Sequence, residues 1–239
     1  MKTSVLIIAH NEERNISRCI KSILSQTVTP DEICVVCHNC ADRTYHIASS
    51  FSGVTAYEYT GPIGVTHARM FGFKQVSGEL IFCIDGDAYA EKNWIFELSR
   101  PFREKNVVCV GGVVIYTGVL IPLLNSLRYF YVKPIFDKFF PMLPFYPFGP
   151  SFAIRKDVYE QIGGLSPFIE LRAKLNLIRW PDDAYLGFMC HRIGKVILTK
   201  KTIVFARAKE KNSIESIQRG ILEFKAGRLL KEYFNKKDV

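Results

Sequence analysis

Leu80-Ile81-Phe82-Cys83-Ile84-Asp85-Gly86-Asp87 is the stretch on which the reading of this chain turns. Five apolar residues, suited to a strand buried on both faces, run directly into two carboxylates separated by one glycine. Two acids so close repel each other, so the arrangement is stable only where a cation, a basic side chain or solvent compensates them. Carboxylate oxygens are hard ligands suited to Mg2+ or Mn2+, ions that commonly bridge such acids to substrate phosphates. Gly86 lets the backbone turn and come close to a ligand. An Asp-Gly turn at the end of a strand uses the same residues, so the flanks must separate the two readings.

Upstream, Val5-Leu6-Ile7-Ile8-Ala9 has the length and composition of a second buried strand, followed by His10-Asn11-Glu12-Glu13. Ile16, Ile20, Ile23 and Leu24 recur at helical spacing between Asn15 and Gln26. Ile33 to Cys37 forms another strand and ends in His38-Asn39-Cys40-Ala41-Asp42-Arg43-Thr44, with a helix continuing through Ala48. Ala56 to Tyr59 gives a third, short strand, Gly61-Pro62-Ile63-Gly64 a break, and Thr66 to Lys74 a helix with Arg69 near its middle. Strands alternating with helices over the first 90 residues predict a parallel sheet covered on both faces, with ligands at the carboxyl ends of the strands.

The second half is less regular. Asn106 to Leu127 holds no charged residue, long enough to span a bilayer, but Gly111, Gly112, Gly118 and Pro122 interrupt it. The preferred reading is two short strands, Val107–Val110 and Val113–Tyr116, around a glycine pair, followed by a loop. From Leu123 to Phe152 the chain is rich in Phe, Tyr and Pro with Arg128, Lys133 and Lys138 interleaved. That composition fits an aromatic subdomain packed on the sheet, or a surface at a membrane headgroup layer. Ser213 to Phe234 reads as a basic amphipathic helix that packs on its own core or lies on lipid. The expected division is a domain over residues 1–205, split near 90 and carrying an aromatic insert at 119–150, then a helix over 206–239.

The 239 residues, 48% of them hydrophobic, support one large core and exclude disorder as the main state. The net charge is +9, and residues 200–239 alone carry eleven Lys/Arg against five acids. An anionic membrane surface or a solvated tail accounts for that excess. Nucleic acid is not expected, because charge alone specifies no more than phosphate contact. Seven cysteines and no basic, apolar signal pattern at the start predict free thiols and a cytoplasmic setting, peripheral to the inner membrane face if the basic surfaces bind lipid. Cys34, Cys37 and Cys40 beside His38 and His46 lack the four-ligand spacing of a structural zinc site.

Two later stretches carry chemistry. Phe148-Gly149-Pro150-Ser151-Phe152-Ala153-Ile154-Arg155 precedes a helix and a Gly163-Gly164 stop, and Trp180-Pro181-Asp182-Asp183-Ala184-Tyr185-Leu186 puts a second acidic pair just inside another helix. Acids at a helix start also serve as ordinary caps. Alongside the first pair they suggest a division of labour, one pair holding a metal and the other supplying a general base.

In this order the segments Val5–Glu13, Asn39–Thr44, Ala68-Arg69 with Gly72, Asp85-Gly86-Asp87, Gly149–Leu165 and Asp182–Leu186 resemble the family 2 glycosyltransferases over roughly residues 3 to 200. The resemblance implies the α/β fold called GT-A, with a Rossmann-like, mostly parallel sheet flanked by helices, and a nucleoside diphosphate sugar bound over the strand tips. It implies that Ala9, Asn11 and Glu12 meet the nucleoside, Asp85 the ribose or the metal, and Asp87 a Mn2+ or Mg2+ on the diphosphate. Asp183 matches the base that deprotonates the acceptor hydroxyl in an inverting displacement, Asp182 pairs with it, and Arg69 and Trp180 belong to the substrate side. His38 stands where the family often has an acid that recognises the nucleotide base. The Gln-x-x-Arg-Trp signature of processive synthases is absent, which implies transfer of one sugar to a glycan or lipid-linked acceptor. A nucleotidyltransferase of similar fold would carry a Gly-rich basic loop after the first strand, where this chain has His10-Asn11-Glu12-Glu13. A catalytically inactive membrane-associated binding protein would have no use for Asp85, Asp87 and Asp183.

Overall fold

The structure is a computed structural model and describes residues 1–117, 149–174 and 182–207. Trp180, nearly all of the aromatic insert and the C-terminal helix lie outside the described residues. The first half runs β1 (Thr3–Ala9), α1 (Ile16–Leu24), β2 (Glu32–His38), α2 (Thr44–Ser49), β3 (Thr55–Tyr59), α3 (Val65–Gln75) and β4 (Leu80–Asp85). The second half runs β5 (Tyr89–Ala90), α4 (Trp94–Ser99), a 3-10 turn (Arg100–Arg103), β6 (Val107–Thr117), β7 (Phe152–Arg155), α5 (Lys156–Gln161), α6 (Ser166–Lys174), α7 (Asp182–His191) and β8 (Lys195–Arg207). All eight strands join one sheet in the order β3-β2-β1-β4-β7-β6-β8-β5.

β1 shows why the sheet needs cover on both sides. Val5 and Ile7 belong to the apolar cluster on one face, and Leu6 and Ile8 to the cluster on the other. A strand alternates its side chains, so two buried sets require two helical layers. Helix α1 fills one layer with Ile16, Cys19, Ile20 and Ile23, at helical spacing and fully buried. On the opposite face α3, α6 and α7 contribute Phe73, Phe168 and Tyr185, with Phe73 stacked on Tyr159 of α5.

From β3 to β4 all pairings are parallel, whereas β7 runs antiparallel to both β4 and β6, and β8 returns parallel to β6. The glycine pair does not divide β6: one strand runs from Val107 to Thr117, with shifts of register against β8 at Val107/Cys109 and Gly111/Val113. Glycine weakens a strand by propensity, but here Gly112 has no Cβ where the Ser151 side chain sits, and its amide donates to the Ser151 carbonyl at 2.9 Å. Ser151 Oγ also accepts the indole N–H of buried Trp94 at 3.0 Å, so the close approach ties β6, β7 and α4 together. β8 continues to Arg207, so Lys200, Lys201 and Arg207 of the basic C-terminal stretch are strand residues. Among the described residues no helix is long and apolar enough to cross a membrane.

Candidate active site

The tips of β1, β2 and β4 lie side by side, with Ala9 paired to Cys37 and Ile8 to Asp85. The chain leaves β4 in a tight turn: the Gly86 amide donates to Ile8 O at 2.8 Å, and the Ala88 amide to Asp85 O at 3.0 Å. A Cβ on Gly86 would lie 2.8 Å from that of Ala9, so only glycine lets this turn lie against β1. Asp85 and Asp87 therefore emerge at the edge where β1 presents His10, Asn11 and Glu12.

Both neighbouring loops reverse through left-handed asparagines, Asn11 at φ 53° and Asn39 at φ 48°. Asn11 Oδ1 accepts the Ala41 amide at 2.8 Å, and the Glu12 amide donates to Thr44 Oγ1 at 2.7 Å. The Glu13 amide donates to Asp42 Oδ2 at 3.1 Å. Asp42 and Thr44 thus join the loop after β1 to the loop after β2. Burial works against the Asp42 charge, yet hydrogen bonds from the Thr44 hydroxyl and from the Thr44 and Glu13 amides hold its carboxyl below the usual range. His10 and His38 stack with centroids 4.8 Å apart, and His10 Nδ1 lies 2.8 Å from the His38 carbonyl. A carbonyl only accepts, so in that contact His10 Nδ1 carries the hydrogen.

Arg69 lies buried between two carboxylates. Its side chain is only 2% exposed; Nη1 donates to Asp182 Oδ1 at 2.6 Å, and Nη2 lies 3.6 Å from Asp85 Oδ1. Burial disfavours the guanidinium charge, but the Asp182 and Asp85 carboxylates outweigh it and raise its pKa above its ordinary value. Through this one side chain the tip of β4 is bound to the first turn of α7. Asp183 follows directly: Oδ2 accepts the Gly149 amide at 2.6 Å and Oδ1 its neighbour's, that of Ala184, at 2.8 Å. Side-chain atoms of Asp183 and Arg69 both stand 3.3 Å from where a Cβ on Gly149 would be. Asp183 is partly buried beside the Arg69 bridge and not turned away from it.

The structure thus gathers Ala9, Asn11, Glu12, His38, Arg69, Asp85, Asp87, Asp182 and Asp183 around the carboxyl ends of the central strands. Asp42, Thr44 and Gly149 were not singled out from the sequence, although each lies inside a stretch quoted above. Arg18, Tyr89 and Arg207 carried no sequence signal. They line a cavity of about 180 Å³ with Asp87, Asn15 and Phe205. The Arg18 guanidinium lies 3.4 Å above the Tyr89 ring, and that ring stacks on Phe205. Two arginines beside an acidic tip suit a phosphate group held near a cation. The larger cavity, about 440 Å³, lies at the other end of the sheet among Lys105, Arg155 and Ile193, with no acidic pair.

The donor set fits a hard divalent ion. The buried Cys19 thiol is raised well above its ordinary value by burial and then by the charges of Asp87, Asp85 and Glu12, so three carboxylates act on one region. Among the described residues no group of three His, Cys, Asp or Glu side chains is placed to hold a metal ion. Two carboxylates with the remaining positions left to water and phosphate oxygens are what Mg2+ and Mn2+ commonly use. Among the described residues a soft or tetrahedral ion finds no such set.

Over 122 residues the chain is 33% identical to Glycosyltransferase AglE of Haloferax volcanii, an overlap covering 48% of this chain and 40% of that protein. It is 28% identical over 121 residues to the Glucosyl-dolichyl phosphate glucuronosyltransferase of the same organism, covering 48% and 39% respectively. The matched region spans about two fifths of the length of these curated relatives. Mannosyltransferase PcManGT from Pyrobaculum calidifontis, solved in complex with GDP-Man and Mn2+, superposes with a TM-score of 0.66 at 16% identity, over 91% of this chain and 60% of that one. At that identity the likeness speaks for the fold, which is GT-A. Residues 4–163, more than half of the chain, match the model of Glycosyl transferase family 2, and the chain belongs to that family.

Proposed function

We propose that this chain transfers one sugar from a nucleoside diphosphate sugar to a hydroxyl of a glycan or lipid-linked acceptor, by an inverting displacement assisted by a divalent ion. The observation that carries the reading is the Asp182–Arg69–Asp85 bridge, because it fixes a second acidic pair against the acidic tip of β4. Asp87 and Asp85 would hold Mn2+ or Mg2+. When bound, the ion neutralises charge growing on the leaving diphosphate. Ala9, Asn11, Glu12 and His38 border the nucleoside, and Arg18 and Arg207 offer positive charge to its phosphates.

Asp183 takes the proton of the attacking hydroxyl. Each of its oxygens accepts one backbone amide, which fixes the carboxylate plane. Asp182 and Arg69 act as positioning residues by holding the start of α7. The named glucuronosyltransferase relative supports a lipid-linked acceptor, and with it peripheral attachment to a membrane surface.

The test is a panel of uridine, guanosine, thymidine and cytidine diphosphate sugars with Mn2+, read by thermal shift and by release of nucleoside diphosphate. One donor raises the melting temperature and is turned over when acceptor is supplied. Asp183→Asn keeps the thermal shift and loses roughly 10²–10⁴-fold in release. Pyrophosphate release from a nucleoside triphosphate, with no turnover of any donor, would overturn the assignment.

A further inference from the structure

Helix α1 turns a basic face outward. From Arg14 to Pro30 the chain carries three cations and no acid. Ile16, Cys19, Ile20 and Ile23 bury one side of the helix, which leaves Arg18 and Lys21, with Arg14 one turn earlier, exposed on the other. Beyond its carboxyl end the chain is bonded to the start of α4. The Thr27 amide donates to the Lys92 carbonyl at 2.9 Å, the Thr27 hydroxyl to Asn93 Oδ1 at 3.0 Å, and the Ile95 amide to Gln26 Oε1 at 3.0 Å.

Leu24, Val28 and Phe96 flank this junction. They are 44%, 37% and 39% exposed, three of the seven large apolar side chains that stand exposed among the described residues. Such residues scattered singly are ordinary, but three around one junction mark a place where something docks. Lys21 and Lys92 are exposed beside them, and the Arg100 guanidinium lies 5.7 Å from the centre of the Phe96 ring. The nearby acids are engaged, Glu97 with Arg100 at 3.2 Å and Glu91 with the Ile203 amide at 2.8 Å. Positive charge among apolar side chains fits a partner that is anionic at its surface and apolar just beneath, as a bilayer with anionic headgroups is.

The face also has a direction. At the start of α1, Arg18 lines the cavity of about 180 Å³ that Asp87 also lines, so the face runs up to the candidate active site. Thr117 and Arg207, paired at the ends of β6 and β8, line the same cavity. The aromatic stretch and the basic C-terminal stretch, whose compositions suit a headgroup layer, therefore join the described residues at this edge.

We propose that the outer face of α1 and its junction with α4 dock on an anionic lipid bilayer, with Leu24, Val28 and Phe96 entering the headgroup layer and Arg14, Lys21, Lys92 and Arg100 meeting lipid phosphates. The cavity beside Asp87 then opens at the height of the headgroups, where a lipid-linked acceptor presents its hydroxyl. That consequence rests on the function proposed above; the docking face does not.

The experiment floats the full chain with vesicles of phosphatidylcholine alone, or of phosphatidylcholine mixed with phosphatidylglycerol. The mixed vesicles retain the chain, the neutral ones do not, and raised salt releases it. Lys21→Gln combined with Lys92→Gln weakens retention roughly 30-fold and leaves the melting temperature in place. Because a basic C-terminal stretch binds anionic vesicles by its charge alone, depth locates the face. Relative to the wild type with its two tryptophans, Phe96→Trp adds fluorescence that brominated lipid quenches. Ile63→Trp, at a position 84% exposed before α3 on the opposite side of the sheet, adds fluorescence that it does not quench. Retention unchanged in the double variant, or Phe96→Trp quenched no more than Ile63→Trp, overturns the proposal. A chain that ignores the mixed vesicles overturns it as well, and a dimer lost in Leu24→Gln would then assign the patch to a second copy. If vesicles bind through this face and no donor is turned over, the sugar-transfer reading fails and the docking stands; turnover without vesicle binding sinks the docking alone.

Discussion

The two acidic pairs of this protein are held in place by opposite means. Asp85 and Asp87 are fixed by backbone: a buried strand, one glycine, and a hydrogen bond from that glycine's amide to Ile8 of the adjacent strand. Asp182 and Asp183 are fixed through their own side chains, by Arg69 across 113 positions and by the Gly149 amide across 34. Backbone pairing builds the β4 side of the site, and side-chain polar contacts bring the α7 side to it. Removing one contact in the first half should change chemistry or fit at one point. In the second half it should release a whole helix start.

That contrast can be broken most forcefully at Arg69. Arg69→Met leaves Asp182, 4% exposed, as an unpaired buried charge and should cost about 3–5 kcal/mol in urea unfolding. Adding Asp182→Asn should recover part of the loss; wild-type stability in the single variant would show that the halves do not depend on the bridge. Asp87→Asn should act the other way, lowering release of nucleoside diphosphate by roughly 10²–10³-fold while stability stays within about 0.5 kcal/mol. Chelation of the wild type should reproduce that loss, and added Mn2+ should reverse it.

A smaller effect sharpens the local side. Gly86→Ala drives a methyl into Ala9 and should destabilise by about 1–3 kcal/mol, visible as a lower denaturant midpoint at unchanged slope. The smallest belongs to Asp42, whose folded-state pKa is depressed by its hydrogen bonds. A depressed carboxylate stabilises above its unfolded pKa, near 3.9, and loses that contribution as pH falls through the folded value. Melting temperatures taken from about pH 6 downward should therefore fall less steeply below about pH 4 in Asp42→Asn than in the wild type.

The same contrast explains what the sequence disclosed. The parallel sheet of β1 to β4 was legible because strands buried on both faces read as unbroken apolar runs, and the helices between them keep their own period. The carboxylates at the β4 tip followed from that reading. β6 was expected as two strands, because glycine's low propensity says nothing of Ser151, which needs the space at Gly112 and comes from far along the chain. Arg69 was picked out by position in a motif, but nothing local reveals that two acids claim it. β8 interleaves Lys195, Lys200 and Lys201 with buried Thr202, Val204 and Ala206, so it reads as basic surface until β6 pairs with it.

β4 is the seam of the sheet, with β1 running beside it in the same direction and β7 in the opposite one. The chain reaches β7 only after the stretch between Thr117 and Gly149, and among the described strands β1, β2 and β3 pair only with one another and with β4. The register from β3 to β4 rests on pairings within residues 3–85. One row of parallel strand tips can thus be kept while the antiparallel half beyond it is altered, as a lathe keeps its spindle while the tool is changed.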